Sequence, residues 1–317
     1  MDLQFSSFPV TLITFLLFVL MVLKVLKTKA NKTVSLASKL PPGPWKLPLI
    51  GNLHQLLGSN LVHRTLRDLA KKHGPLMYLK LGQVPTLVVS SPESAKEVLR
   101  THDAIFASRP VTLFSQIVLY DSKDIVFAPY GEYWRQLRKI CVQEVLSPAR
   151  VQSFRPIREE AMSNLVEWIA SREGSAVNLT EKIKSLTFGI MALAAFGKKE
   201  SKDSEEFISA VEEAVKLGAG FDPSDLFPSI NFLLLINPLK SRLEKLHRTI
   251  DRILENIIKE HQKEKSEAKS CEAKEDLMDV LLKFHNNNAL SLDNIKAVLL
   301  VNYFLLSSLP FTVIKIL

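Results

Sequence analysis

Apolar and polar residues follow each other in three different ways along this chain, and each predicts a different kind of element. From Leu3 to Leu23 there is no alternation at all: the 21-residue run is uncharged and rich in Leu, Phe and Val. At ~1.5 Å per residue such a run crosses the ~30 Å hydrocarbon core of a bilayer, so it predicts a membrane-spanning helix. "LVHRTLRDLAKKHG" then has helical spacing and closes on Gly74, a natural helix stop. "LMYLKLGQVPTLVVSS" reads as two short strands around a Gly-containing turn. "SPESAKEVLRTHD" opens a helix with Ser91 as N-cap and Pro92 at the first helical position. From "GEYWRQLRKICVQEVLS" onward almost everything is helical. The breaks are "SREGSAVN", the Phe/Pro-rich "FDPSDLFPSINF" and the run "KEHQKEKSEAKSCEAKED". That last run has five basic and six acidic residues and no apolar face, which predicts a solvated helix end and loop. The pattern as a whole predicts a mainly α chain with a small N-terminal β-sheet.

Charge sharpens the picture of the N-terminus. The +8 net charge invites a nucleic-acid reading until it is located. Residues 3–67 hold eight Lys/Arg and no Asp or Glu, and the rest of the chain balances at 33 basic against 33 acidic residues. The excess begins where the first apolar run ends, which is the pattern of a membrane surface and excludes a nucleic-acid partner. "LKVLKTKANK" follows the run while only Asp2 precedes it as a charged side chain, so the lysine side is expected in the cytosol and the N-terminus in the lumen. The run lacks a basic n-region and a small-residue cleavage site, as an uncleaved anchor does. The sequons at Asn31 and Asn178 would then face the cytosol, unglycosylated. "LPPGPWKLPLIG" carries four prolines in eight residues, Pro41 to Pro48, and predicts a stiff joint between anchor and body. Two cysteines exclude a disulfide framework.

The candidate chemistry sits in "YWRQLRKIC". On a helix Trp134 and Arg138 stand four residues apart and share a face, with Arg135 and Lys139 on a neighbouring one. An indole N–H beside a guanidinium suits a buried carboxylate. Spacing alone favours the plainer reading, with Trp134 as core and the cations as solvated surface. No Gly-rich phosphate loop, zinc spacing or catalytic triad offers other chemistry.

Taken in order, the N-terminal run, "PPGPWKLPLIGNLHQL", "FASRP" (Phe106 to Pro110), "DIVFAPYGEYWRQLRKIC" and "NLTEKIKSLTFGIMALAAFG" resemble the plant microsomal cytochrome P-450 monooxygenases, nearest to the branch that oxidises terpenoids and related specialised metabolites. The resemblance runs to about Leu299. It implies the cytochrome P-450 fold behind a transmembrane helix, a haem cofactor, an endoplasmic-reticulum membrane location, electrons from an NADPH-dependent reductase and a small hydrophobic substrate. It implies that Trp134 and Arg138 hydrogen-bond a haem propionate. Residues 111–124 would be the loop over the substrate pocket, and Phe221 to Ile236 a membrane-touching loop near its entrance.

Against that expectation, parts of the chemistry are missing from the sequence. The family's iron is held by a cysteine in a Phe-x-x-Gly-x-Arg-x-Cys-x-Gly loop, and no such loop occurs here. Cys141 reads as a mid-helix structural thiol, and Cys271 lies in the charged run. "NIKAVLLV" resembles the start of the family's central helix, but no acid–alcohol pair follows it. Glu97…Arg100 and Glu132…Arg135 match a Glu-x-x-Arg pattern only by accident of position. Ala297 to Ile314 is uncharged for 18 residues; it is expected to be that helix start continued into unrelated apolar sequence, kinked at Pro310, with a second membrane span as the alternative. The expected organisation is an anchor at 1–26, a basic proline-rich hinge at 27–50, the N-terminal part of a cytochrome P-450 domain at 51–299 and an aberrant tail at 300–317. No catalytic or metal-ligating residue is assigned, and stable haem binding is not expected beyond weak ligation through a histidine such as His73 or His102. The alternative is a non-catalytic, membrane-tethered protein that binds a reductase or a full-length relative through Arg135 and Lys139.

Overall fold

The computed structural model describes Ile13, Phe15, Leu16, Val19 and residues 40–58, 61–197, 203–220, 222–267 and 276–302. The expected anchor and the end of the terminal apolar run therefore lie largely outside the described residues. Among the described residues no helix is long and apolar enough to cross a membrane. The chain divides into two units, Met1–Asp103 and Ala104–Leu317.

The first unit is built on the predicted hairpin. Strands β1 (Leu76–Leu81) and β2 (Val84–Val89) pair antiparallel, Leu76 with Val89 and Leu81 with Val84. Period-two patterning buries Met77, Leu79 and Leu81 on one face of β1. The proline-rich segment lies along this strand: Tyr78 N–H donates to Pro42 O at 2.9 Å. Asn52, fully buried, fastens it by donating to Pro44 O (3.2 Å) and Trp45 O (3.0 Å) and accepting from Lys80 N (2.8 Å). Gly51 adopts a left-handed φ of 62°, and a Cβ there would stand 2.1 Å from Lys80 O, so only glycine fits. Helices α1 (Leu53–Leu56) and α2 (Val62–His73) precede the hairpin, α2 ending at Gly74 as its pattern predicts. Helix α3 (Pro92–Lys96) starts as expected, with Ser91 Oγ accepting from Ser94 N and Pro92 in the first turn.

The described residues of the second unit form helices and the loops between them. Its helices are α4 (Leu113–Ile117), α5 (Glu132–Ile140), α6 (Pro148–Ser153), α7 (Arg155–Ala170), α8 (Leu179–Phe196), α9 (Ser204–Gly218), α10 (Pro223–Leu226), α11 (Asn231–Leu235), α12 (Pro238–Glu267), α13 (Leu277–Asn286) and α14 (residues 292–302). Helix α9 packs along α12, α7 along α8, and α8 against α13. Residues 295–301 of α14 are all buried, so this part of the terminal apolar run is core rather than lipid-facing surface. The charged run is less solvated than its composition predicts. His261 (7% exposed) and Asp276 (8%) are buried, and His261 Nε2 lies 2.9 Å from Asp279 Oδ1. Lys265 completes the cluster on Asp279. These contacts staple the end of α12 to the start of α13, which Asp276 caps.

Helix α5 is shorter than its pattern predicts. The α-helix stops at Ile140 and a π-helical turn, Cys141–Val145, follows, with Leu146 N–H reaching back to Cys141 O at 2.8 Å.

Two glycines in helices test the packing in opposite directions. A Cβ on Gly189 in α8 meets nothing within 4 Å, whereas one on Gly218 in α9 would lie 2.6 Å from Phe114 Cδ2. Gly189→Ala is expected to raise stability by about 0.5–1 kcal/mol through helix propensity. Gly218→Ala is expected to lower it by about 1–3 kcal/mol, because Phe114 must move. Denaturant midpoints of the two variants should shift in opposite directions, and a shared direction would contradict the packing described.

Candidate functional site

The amphipathic pattern of α5 divides its residues cleanly. Leu137 and Ile140 face the core, while Arg135, Arg138 and Lys139 are exposed and Trp134 lies half-buried at the border. As the spacing predicts, Trp134 and Arg138 share a face: the guanidinium carbon stands 5.2 Å from the indole centroid. Tyr130 extends the row, its ring 5.5 Å from that of Trp134, with Arg135 5.9 Å beyond. The row therefore places two adjacent rings between two cations, and the exposed Arg138 leaves its N–H fork open to solvent.

The indole itself is engaged. Trp134 Nε1 donates to Ile125 O at 3.0 Å. Ile125 follows a turn whose backbone is unusual: Tyr120, Asp121 and Ser122 have φ of 52°, 62° and 57°, three consecutive non-glycine residues in the left-handed region. Each such residue costs about 1–2 kcal/mol unless its surroundings enforce it. Here they do. Asp121 N–H donates to Gln116 O and Ser122 N–H to Ser115 O, both at 2.9 Å. Tyr120 donates its phenol to Asp251 on α12 at 2.9 Å, and burial with that carboxylate holds the phenol protonated far above its usual range. Asp251 and Glu255 in turn accept from Lys296 on α14 at 2.8 and 2.6 Å. Burial pushes Lys296 toward its neutral form, but the two carboxylates outweigh this and hold its pKa above the ordinary value. Asp124 closes the turn, its Oδ1 accepting from Val126 N (2.6 Å) and Phe127 N (3.0 Å). Its Oδ2 is buried without a partner, and burial pushes its carboxyl up. None of Tyr120, Asp251, Glu255 or Lys296 was singled out by the sequence pattern. The signal was there in Lys296, the lone charge in "NIKAVLLV".

The two segments expected near a substrate pocket meet in this unit; Phe221 itself lies outside the described residues. Leu113 N–H donates to Asp225 Oδ1 at 2.7 Å, and Phe114 packs where Gly218 leaves room. Two clefts of about 350 Å³ open elsewhere, one between α9 and α12 and one beside His261 and Asp279, and neither borders Trp134. Among the described residues His261, Asp276 and Asp279 place possible metal-ligand atoms within 4.8 Å of one another. Lys265 pairs with Asp279 and His261 lies within hydrogen-bond distance of it, so the group reads as a structural staple.

A haem held by thiolate does not fit these residues. Cys141 is buried in the core at 4% exposure, and burial pushes its thiol up to about 11. Cys271 lies outside the described residues. His73 is half-buried and His102 exposed, both in the first unit, with His102 Nδ1 on Glu97 O at 3.2 Å. At the carboxylate end Arg138 is open, but the Trp134 donor is occupied.

Comparison with known proteins adds to this geometry. The family profile described as Cytochrome P450 matches residues 41–304. "Cytochrome P450 71D11" of Lotus japonicus is 54% identical over 268 residues, covering 82% of this chain and 54% of the relative. "Tabersonine 6,7-epoxidase isoform 1" of Catharanthus roseus is 52% identical over 78% of this chain and 49% of its own length. "Premnaspirodiene oxygenase" of Hyoscyamus muticus is 47% identical, covering 84% and 54%. The chain spans about half the length of the curated relatives it matches.

The buried, proton-bound state of Cys141 is directly measurable. With its pKa near 11, only about 0.1% of the thiol is ionised at pH 8. In a Cys271→Ser chain, iodoacetamide at pH 8 is expected to label Cys141 at least ~100-fold more slowly in the native state than after unfolding. Labelling at the rate of a free thiol would place Cys141 in an open, activated site instead.

Proposed function

Because the chain belongs to the cytochrome P450 family, we propose that it is the N-terminal part of a membrane-anchored haem-thiolate monooxygenase that oxygenates a small, largely apolar, terpenoid-like metabolite. The observation that carries this reading is the Trp134–Arg138 pair on α5, a cation and an indole sharing one face at 5.2 Å. In this reading the pair receives a haem propionate, with Arg138 as the anion-binding arm and Trp134 as the second donor. Haem on a thiolate supplies oxygen activation in such enzymes. These 317 residues do not offer that thiolate, since Cys141 is sealed in the core and the sequence holds no cysteine loop of the family type. The oxygenase activity therefore belongs to a form of the polypeptide that carries such a loop, and this chain alone is inactive. The names of the relatives, an epoxidase and an oxygenase, support the reaction class. The exposed Arg135 and Lys139 are the cations an acidic reductase surface would meet.

The apolar run at Leu3–Leu23 and the lysines that follow support an endoplasmic-reticulum anchor with a lumenal N-terminus and a cytosolic body. Protease added to sealed microsomes is expected to digest the body, and its protection would reverse the orientation.

The iron ligand is tested by the reduced, carbon-monoxide-bound spectrum of the purified chain with added haemin. We expect an unshifted Soret band that is the same in Cys141→Ser and Cys271→Ser. A strongly red-shifted band abolished by Cys141→Ser would show that this chain ligates iron by itself.

A further inference from the structure

The carboxylate proposed for Arg138 would gain a further donor in the neighbouring indole N–H, and that N–H is occupied by the Ile125 carbonyl at 3.0 Å. What holds Ile125 there lies far from it in sequence. Lys296, 4% exposed on α14, grips Asp251 and Glu255 on α12, and Asp251 takes the Tyr120 hydroxyl. Two more ties run from α14 to the same turn. Asp293 pairs with Lys123 at 3.2 Å, and Asn294 donates to Tyr133 Oη (2.7 Å), which donates to Lys123 O (2.6 Å). The segment so held is the left-handed Tyr120–Asp121–Ser122, a conformation these residues leave when released. Asp124 makes the following residues one rigid piece through its bonds to Val126 and Phe127, so Ile125 moves with the turn.

We propose that Lys296, Asp251 and Tyr120 form a clamp that withholds the Trp134 indole N–H. Closed, the clamp fixes the left-handed turn and seats the Ile125 carbonyl on the indole. Open, it frees that donor beside Arg138 for a carboxylate. Helix α14 thereby controls a binding face on α5 with no contact between Lys296 and Trp134. The clamp stands on geometry alone, while its carboxylate ligand rests on the propionate reading above.

The two halves are tested separately in the full chain, solubilised in detergent and labelled with ¹⁵N-tryptophan. The Trp134 indole resonance is assigned by its loss in Trp134→Phe. In wild type this N–H should exchange slowly with solvent. Tyr120→Phe, which removes one hydroxyl, should speed the exchange by about tenfold, the worth of one hydrogen bond. Lys296→Met should act in the same direction. Ile253→Val, a core change on α12 outside the clamp, should leave the Trp134 exchange unchanged. Wild-type exchange in Tyr120→Phe, or equal acceleration in Ile253→Val, overturns the clamp. The second measurement titrates metal-free protoporphyrin IX and its dimethyl ester, which keeps iron ligation out of the result. Tyr120→Phe should bind the free acid about tenfold more tightly and the ester no better. Faster exchange with no gain for the free acid keeps the clamp and overturns carboxylate recognition at this face.

Discussion

An ammonium nearly cut off from water stands at the head of the apolar stretch of α14. Lys296 is 4% exposed, and the residues around it on α14, Ile295 and Ala297 to Val301, are buried. A lone buried charge of this kind costs several kcal/mol unless paired. The pairing supplied by Asp251 and Glu255 fixes more than energy. It sets α14 against α12 at one register, because both carboxylates stand one helical turn apart and converge on one nitrogen. Leucines and valines can slide along one another at small cost, whereas a buried ion pair cannot. The Tyr120 turn then hangs on the same carboxylate, so the register of two long helices is transmitted to a loop.

That loop also fixes the exposed face of α5. Trp134 is held by a backbone carbonyl, and Arg138 is held by the indole ring. Both groups are thus kept in place by contacts that a ligand can replace. Cys141 differs. It lies on the same chain segment, yet among the described residues its surroundings offer burial alone, which pushes the thiol up. The segment carries an exposed guanidinium at one edge and a buried thiol at the other.

Within the first unit, local rules read the hairpin and the helix ends beside it. The hairpin, the Gly74 stop and the Ser91–Pro92 start each depend on residues within a few positions of one another, so they were legible. The same holds for the Trp134–Arg138 face, which needs only the helical period. What was not legible depends on partners distant in sequence. Tyr120 and Asp251 are 131 residues apart, and nothing near either one announces the other. The charge run "KEHQKEKSEAKSCEAKED" misled in the opposite sense. Its composition argues for solvent, but His261 and Asp276 find partners that make their burial tolerable. Charge patterning describes average exposure and is blind to compensation. The π-helical turn after Ile140 has no sequence signature that separates it from a continuous helix.

The terminal apolar run shows where hydropathy stops deciding. A charge-free stretch can face lipid or fill a core, and length alone does not separate the two when it is near 18 residues. For residues 297–301 the neighbours decide: each is buried against the packed helices of the second unit. Lys296 at the head of that stretch argues the same way, since its ion pairs tie the helix to α12. The opposite case is α7, where Met162, Val166 and Ile169 form a stripe at helical spacing and are 50%, 62% and 41% exposed. Apolar residues at helical spacing thus end in opposite exposures. What differs is enclosure: residues 297–301 are surrounded by the core of the second unit, and Lys296 ties their helix to α12.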